Sequence, residues 1–165
     1  MKKMFKILFV FFFLFWGKQT VAQAIPKWKT ANLKHIIDSS NGPTILNFWA
    51  TFCIPCLKEL PYFNTASQQY KGNGLELYFV SLDADDAYPK KIKGFTKKLN
   101  ITAPVIFLDE SNADEFCPVV DKNWSGAIPG TLFINNKTGY RKFIEEELSP
   151  EALEMEIQKL LQHKP

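Results

Sequence analysis

The chain has 165 residues and a formal net charge of +3 at pH 7, from 20 basic and 17 acidic side chains. This length suits one domain with a real hydrophobic core. Three cysteines are too few for the disulfide framework of a small secreted scaffold.

The first 24 residues have the pattern of a secretory signal peptide. A basic start (residues 2–6) precedes an uninterrupted run of ten apolar residues (7–16) and a small-x-small cleavage site (22–24). The run is shorter than the roughly 20 residues that span a bilayer, so an uncleaved N-terminal anchor is the alternative. Four lysines leave with this segment, and the remaining charge of 16 − 17, or −1, does not predict nucleic-acid binding. We predict an exported protein, periplasmic or otherwise extracytoplasmic, with its domain over residues 25–165.

The predicted elements after this segment alternate between helices and strands. An extended lead-in over residues 25–29 comes first, and Thr30 is the expected cap of the first helix. The predicted helices cover residues 30–39, 53–71, 88–99, a short segment within 109–123, and a final stretch that Ser149 caps and Pro150 opens. The predicted strands cover residues 44–50, 75–82, 104–108, 131–135 and 140–145. This order predicts the α/β class, with helices on both faces of one sheet.

The sequence does not predict a metal site. We interpret Asp83, Asp85 and Asp86 as a solvated loop at a strand end, because no fixed oxygen cage is evident around them. A zinc site is disfavoured because there is no second cysteine pair, and because His35 and His163 are far apart in the chain.

A pair of cysteines, Cys53 and Cys56, stands where a buried strand turns into a helix. The first turn of a helix presents unpaired N–H groups and a partial positive charge, and both favour the reactive thiolate form. Pro55 is tolerated there because it has no N–H to leave unpaired. The spacing lets Cys53 attack a disulfide and Cys56 resolve the mixed disulfide. A structural disulfide that never turns over is the alternative.

The segment from Asn47 to Pro61 resembles the active-site segment of thioredoxin-like proteins. It is most similar to the extracytoplasmic TlpA/ResA branch, with its pattern NFWATWCxPCxxExP. Phe52 departs from that pattern, since the family usually has Trp there. The later run Ile128-Pro129-Gly130-Thr131 resembles the cis-proline loop of the same family. The resemblance implies a thioredoxin-like fold with a central mixed sheet.

The resemblance also assigns roles to residues around the cysteines. It implies that Cys53 is the exposed nucleophile and Cys56 the buried resolving thiol. Asn47 stands where cytoplasmic thioredoxins have a buried Asp, and an amide cannot carry a proton. Glu59, which matches the family Glu one turn past Cys56, is therefore the candidate proton relay. The alternative for Glu59 is an exposed helix residue beside Lys58.

The expected client-binding residues are Phe52, Ile54, Pro55, Ile128 and Pro129. A cis Ile128–Pro129 bond would offer backbone groups beside the disulfide, where a partner chain can pair as an added strand. The dipeptide Ile54-Pro55 adds no charge or extra donor to stabilise a Cys53 thiolate. We therefore predict a reductant, since strongly oxidising relatives stabilise their reduced form.

Two residues have alternative interpretations. Trp124 either lines a docking groove or belongs to the core. Cys117 is either a small buried apolar residue or a reactive thiol that approaches Cys53.

Together these features predict an exported thiol–disulfide oxidoreductase without a cofactor beyond its redox-active disulfide. Its expected partners are disulfide-containing exported proteins and a membrane electron donor. The resemblance implies cytochrome c maturation as one process that such clients serve. We expect a monomer. The alternatives are a net disulfide oxidant and a binding module that holds a partner without turnover.

Overall fold

The computed structural model describes residues 24–162, and these build a mixed sheet flanked by helices. The helices are α1 (Thr30–Ser39), α2 (Ile54–Gln69), α3 (Lys90–Lys98), α4 (Ala113–Val120) and α5 (Pro150–Gln162). The strands are β1 (Lys27–Trp28), β2 (Thr44–Trp49), β3 (Glu76–Ser81), β4 (Val105–Leu108), β5 (Gly130–Asn135) and β6 (Tyr140–Ile144). The predicted leader lies outside these residues apart from Ala24. No helix of the described part is long and apolar enough to cross a bilayer.

The sheet has six strands in the order β1-β4-β3-β2-β5-β6. Strands β1 to β4 run parallel to one another, whereas β5 is antiparallel to β2 and β6 is antiparallel to β5. The predicted mixed α/β sheet is therefore confirmed. Strand β2 lies between a parallel and an antiparallel neighbour, and Phe48 near its end pairs with Gly130 at the start of β5.

The side chains of β2 alternate between two hydrophobic cores. Ile45 and Trp49 belong to the cluster on the face covered by α2, α3 and α5. Leu46 and Phe48 belong to the cluster on the opposite face, under α1 and α4. Full burial of one such side chain contributes about 1.5–3 kcal/mol. The same alternation directs the polar side chain of Asn47 toward α2.

Three details differ from the predicted elements. The lead-in contributes a short strand, because residues 27–28 pair with β4. The cap of α1 is Lys29 rather than Thr30, and the Lys29 N–H donates to Asn32 Oδ1 at 2.9 Å. Helix α3 begins at Lys90 rather than Tyr88, because the residue before a proline is disfavoured in a helix. The Tyr88–Pro89 peptide is cis.

Glu156 of α5 ties the last helix to the edge strand β6. Its side chain is 4% exposed and accepts hydrogen bonds from the Tyr140 hydroxyl, from Lys142 Nζ at 3.0 Å and from Lys159 Nζ at 3.2 Å. Burial favours the neutral acid, but these donors outweigh it, and the pKa of Glu156 lies below its ordinary value. The carboxylate is therefore ionised in the folded protein near neutral pH.

Glu156→Gln is expected to lower the free energy of unfolding at pH 7 by about 1–2 kcal/mol, because charge-assisted hydrogen bonds are lost. The folded-state pKa is depressed, so this stabilisation is present above the ordinary value of 4.5 and is lost as the pH falls through the folded-state pKa. Urea denaturation of both proteins between pH 3 and 7 measures the effect.

The matched control is Asp38→Asn, which removes an exposed ion pair with Lys34 on α1. It should change stability by less than about 0.5 kcal/mol. An equal loss in both variants would contradict the role given to Glu156.

Candidate active site

The cysteine pair lies at the N-terminus of α2, as predicted. Cys53 is the N-cap of the helix and forms a disulfide with Cys56, with their Cα atoms 5.3 Å apart. The Cys56 N–H donates to Cys53 Sγ at 3.3 Å, and the Cys53 N–H donates to the Ala50 carbonyl at 3.1 Å. The first sulfur thus sits against the free N–H groups of a helix start, where a negative charge would be stabilised.

Solvent reaches the two cysteines unequally. Cys53 is 7% exposed and Cys56 is 0% exposed. Cys56 is therefore buried as expected, whereas the expectation that Cys53 is exposed was wrong. The reason is that the loop before β5 lies against it, with the Ile128 carbonyl oxygen 3.7 Å from its sulfur. Of the two cysteines, Cys53 is the one with surface open to solvent.

Apolar side chains that face solvent flank the reachable sulfur. Phe52 is 68% exposed and Ile54 is 69% exposed, and Pro55 is half-buried. Large apolar side chains at such exposure are unfavourable in an isolated protein when they adjoin one another. Their position around Cys53 is suited to contact with another polypeptide.

The cis-proline loop meets the disulfide directly. The Ile128–Pro129 peptide is cis, and the Ile128 carbonyl oxygen lies 3.7 Å from Cys53 Sγ. In the disulfide this sulfur carries no hydrogen, so the contact becomes a hydrogen bond only when Cys53 is a thiol. Ile128 is half-buried and Pro129 is buried, so of these two residues Ile128 offers the accessible surface.

The loop that carries Cys53 is held by a buried carboxylate. Asp83 at the end of β3 is 5% exposed. It accepts hydrogen bonds from the Thr51 N–H at 3.1 Å, the Thr51 hydroxyl at 2.6 Å and the Ser81 hydroxyl at 2.8 Å. The interpretation of Asp83 as part of a solvated loop was therefore wrong, although Asp85 and Asp86 are exposed. The sequence analysis missed this role because Asp83 is close in sequence to two aspartates that are exposed.

A second carboxylate holds the loop before the cis proline. Glu145 at the end of β6 accepts hydrogen bonds from the Ser125 N–H, the Ser125 hydroxyl and the Ala127 N–H. Gly126 between them has φ +89°, a conformation that other residues rarely adopt. The sequence analysis missed Glu145, because its partners lie about 20 residues earlier in the chain.

Glu59 is a buried residue of α2 and belongs to a polar cluster. It is 0% exposed, so the alternative of an exposed helix residue was wrong. The Asn47 side-chain amide donates to its Oε1 at 2.7 Å, and the Leu148 N–H donates to its Oε2 at 3.1 Å. The same Asn47 amide donates to Thr131 Oγ1 at 3.1 Å.

The pKa of Glu59 is raised to about 7. Burial is the main cause, the hydrogen bonds from Asn47 and Leu148 oppose it, and the charge of Glu147 adds to it. A carboxyl group with this pKa can accept and return a proton near neutral pH. Cys56 and Glu59 are both buried residues of α2, one helical turn apart.

Trp124 and Cys117 belong to the core. Trp124 is 6% exposed, packs on Phe48 and donates its indole N–H to the Ala127 carbonyl at 2.9 Å, so it supports the loop before the proline from below. Cys117 is 5% exposed. Burial, together with the charges of Glu145 and Asp114, raises its pKa to about 11, and a thiol with this pKa is unreactive near neutral pH.

Across residues 24–162, no three His, Cys, Asp or Glu side chains are close enough together to hold a metal ion.

Comparison with known proteins agrees with this geometry. The model of the AhpC/TSA family matches residues 21–140. The chain is 31% identical to the thiol-disulfide oxidoreductase ResA of Bacillus thuringiensis subsp. konkukian over 151 residues, which cover 87% of this chain and 80% of the relative. It is 30% identical to ResA of Bacillus cereus strain ZK / E33L over 150 residues, with the same coverage.

A solved structure gives the same result for the fold. The chain is 26% identical to a thioredoxin-related protein from Neisseria meningitidis serogroup B, with a TM-score of 0.63. The match covers 75% of this chain and 89% of the other. The thioredoxin-like fold that the sequence predicts is thereby confirmed.

The pKa of Glu59 in the oxidised protein is expected to lie near 7, and its neighbours should move it in opposite directions. Asn47→Leu removes a donor to the carboxylate and should raise the pKa. Glu147→Gln removes a repelling charge and should lower it. Titration of the Glu59 carboxyl carbon by NMR measures all three values.

Stability provides the control for this titration. The folded-state pKa is raised, so the stability of the wild type relative to Glu59→Gln should be greatest below pH 4.5 and should decline as the pH rises through about 7. A stability difference that does not vary with pH would contradict the assignment.

Asp83→Asn is expected to lower the free energy of unfolding by about 1.5–3 kcal/mol, because an amide cannot accept all the donors of Thr51 and Ser81. Amide hydrogen exchange at Thr51 should become faster. The same substitution at exposed Asp86 should cost less than about 0.5 kcal/mol. Unchanged exchange at Thr51 in Asp83→Asn would mean that the carboxylate does not hold this loop.

Proposed function

The chain belongs to the AhpC/TSA family of thioredoxin-like proteins and is a thiol–disulfide oxidoreductase, and from this premise we propose that it is exported and reduces disulfides in other exported proteins. The observation that carries the proposal is the disulfide at the start of α2. Of its two cysteines, the one with surface open to solvent lies among exposed apolar side chains and beside a cis-proline loop.

The proposed reaction starts from the reduced protein. The Cys53 thiolate attacks one sulfur of the client disulfide. The client S–S bond breaks, a mixed disulfide forms, and the second client sulfur leaves as a thiolate. The Cys56 thiolate then attacks Cys53 Sγ, which releases the client as a dithiol and leaves the Cys53–Cys56 disulfide. Two electrons pass from the protein to the client.

Glu59 is proposed to take part in the second step as a proton acceptor. Cys56 is fully buried and must lose its proton to become a nucleophile. A carboxyl group with a pKa of about 7, one turn along the same helix, can accept that proton directly or through water. Asn47 keeps part of the Glu59 population ionised by donating to it.

Client binding is proposed to use the surface around Cys53. Phe52, Ile54 and Pro55 would contact apolar side chains of the client. The backbone at Ile128 and Pro129 would pair with the client chain as an added strand. Glu145 already holds the loop before the cis proline, so this loop needs little further ordering when a client binds.

The direction of electron flow is proposed from the surroundings of Cys53. Ile54 and Pro55 add no positive charge, and the Ile128 carbonyl turns a partial negative charge toward the sulfur at 3.7 Å. A thiolate at Cys53 is thus stabilised by the helix start but opposed by this carbonyl. The dithiol form is then not strongly favoured, which is the property of a reductant. A membrane electron donor would regenerate it.

Export is proposed from the first 24 residues, whose basic start, apolar run and small-x-small site match a signal peptide or a short membrane anchor. The oxidoreductase domain would then be residues 25–165, outside the cytoplasm, where client disulfides form.

The test is reduction of insulin by the protein in the presence of a chemical reductant. Cys53→Ser should remove the activity completely. Cys56→Ser should accumulate mixed disulfides with clients, because nothing resolves them. Equal rates for wild type and Cys53→Ser would refute the enzyme function, and an absence of trapped clients would favour a binding module.

A redox titration against glutathione tests the direction. A reductant is expected to have a potential more negative than about −200 mV. A value near about −120 mV, as in strongly oxidising relatives, would make the protein an oxidant.

A further inference from the structure

A groove of about 990 Å³ opens beside the disulfide. At the end near Cys53 it is bounded by Phe52 and by the loop up to Ile128. The half-buried Leu82 contributes apolar surface further along it, whereas Leu108 and Phe116 line it from the core and are 1% and 6% exposed. The groove ends next to the reactive sulfur, because Phe52 precedes Cys53 in the chain and the Ile128 carbonyl oxygen lies 3.7 Å from Cys53 Sγ. A chain bound at the sulfur can therefore extend into it.

The rim of the groove is strongly acidic. Its charged lining residues are five acids and one lysine: Asp83, Asp85, Asp86, Asp109, Glu110 and Lys29. The described lining thus carries an excess of negative charge in a chain whose predicted domain is nearly neutral. Carboxylates that converge on an apolar groove favour an occupant that carries positive charge.

Some of this charge is already used within the protein. Asp83 holds the Thr51 loop. Asp109 pairs with Lys27 and Lys29, which lowers its pKa. Glu110 accepts the N–H of Thr30.

The remaining charge lies at the outer rim. The Asp85 side chain is 77% exposed, and it shares the Lys27 ammonium group with Asp109, each at 3.4 Å. Asp86 is exposed next to it. An incoming cation can therefore reach Asp86 directly and can compete with Lys27 for Asp85, because an ion pair this exposed is weak.

We propose that this groove binds the segment of the client polypeptide that adjoins its disulfide, and that it selects segments with a lysine or arginine next to an apolar side chain. The proposal rests on the function proposed above. The apolar side chain would contact Phe52 and Leu82, and the cationic group would reach Asp85 and Asp86. The selection acts on recognition, so it changes how fast a client is captured and not how the sulfurs react.

The experiment uses the protein reduced beforehand, which makes the result independent of the electron donor. Two peptides have the same internal disulfide and the same apolar residue, and differ only in flanking residues that are lysine in one and glutamate in the other. The second-order rate constant for reduction of each peptide is measured at low and at high salt. For the wild type we expect the lysine peptide to react about tenfold faster at low salt, and the preference to shrink at high salt.

Asp85→Asn/Asp86→Asn is expected to reduce this preference to about twofold or less. Its rate with the glutamate peptide should rise, because a repulsion is removed, and an unfolded protein cannot produce that rise. The matched control is Asp38→Asn/Glu76→Gln, which removes the same charge from exposed positions at the opposite end of the sheet. It should keep the wild-type preference.

The outcomes separate the two proposals. Equal rates for the two peptides with the wild type, or an equal loss of preference in the control variant, would overturn the groove proposal alone. If neither peptide is reduced faster than by Cys53→Ser, the proposed function fails and the groove proposal fails with it.

Discussion

The site depends on how β2 pairs with its two neighbours. The antiparallel register places Phe48, just before the Cys53 loop, opposite Gly130, just after the cis proline. The end of one strand and the start of another therefore meet at the same edge of the sheet. This pairing is what brings the Ile128 carbonyl to 3.7 Å from Cys53 Sγ, although 75 residues separate them in the chain.

Two carboxylates then hold these loops. Asp83 binds the backbone and hydroxyl of Thr51, and Glu145 binds the backbone of Ser125 and Ala127. Both lie just past strand ends, so the sheet positions the two loops of the site. Phe52 follows the anchored Thr51 and is 68% exposed, so the apolar surface beside Cys53 adjoins a backbone position that Asp83 holds.

The buried side of the site has a different electrostatic character. Asn47 faces α2 because of its position in the strand alternation, and there it meets Glu59 and Thr131. Burial makes ionisation of Glu59 costly, and the amide offsets only part of that cost. Glu59 is thus close to half-ionised near neutral pH. The solvent side of the site, in contrast, has the exposed carboxylates of Asp85 and Asp86, which favour the approach of a cation.

Much of this protein could be predicted from the sequence because it depends on neighbours in the chain. Strand and helix periodicity, the turn residues and the position of Cys53 at a helix start are local properties, and the predicted elements agree with the structure within a few residues. The thioredoxin-like arrangement of these elements was predicted from the resemblance of residues 47–61 to a known active-site segment. The roles of Asp83, Glu145 and the acidic groove required the tertiary structure. Each arises where strand ends distant in the chain meet at one edge of the sheet, and the burial that raises the pKa of Glu59 exists only once α2 has packed on β2 and the Leu148 loop.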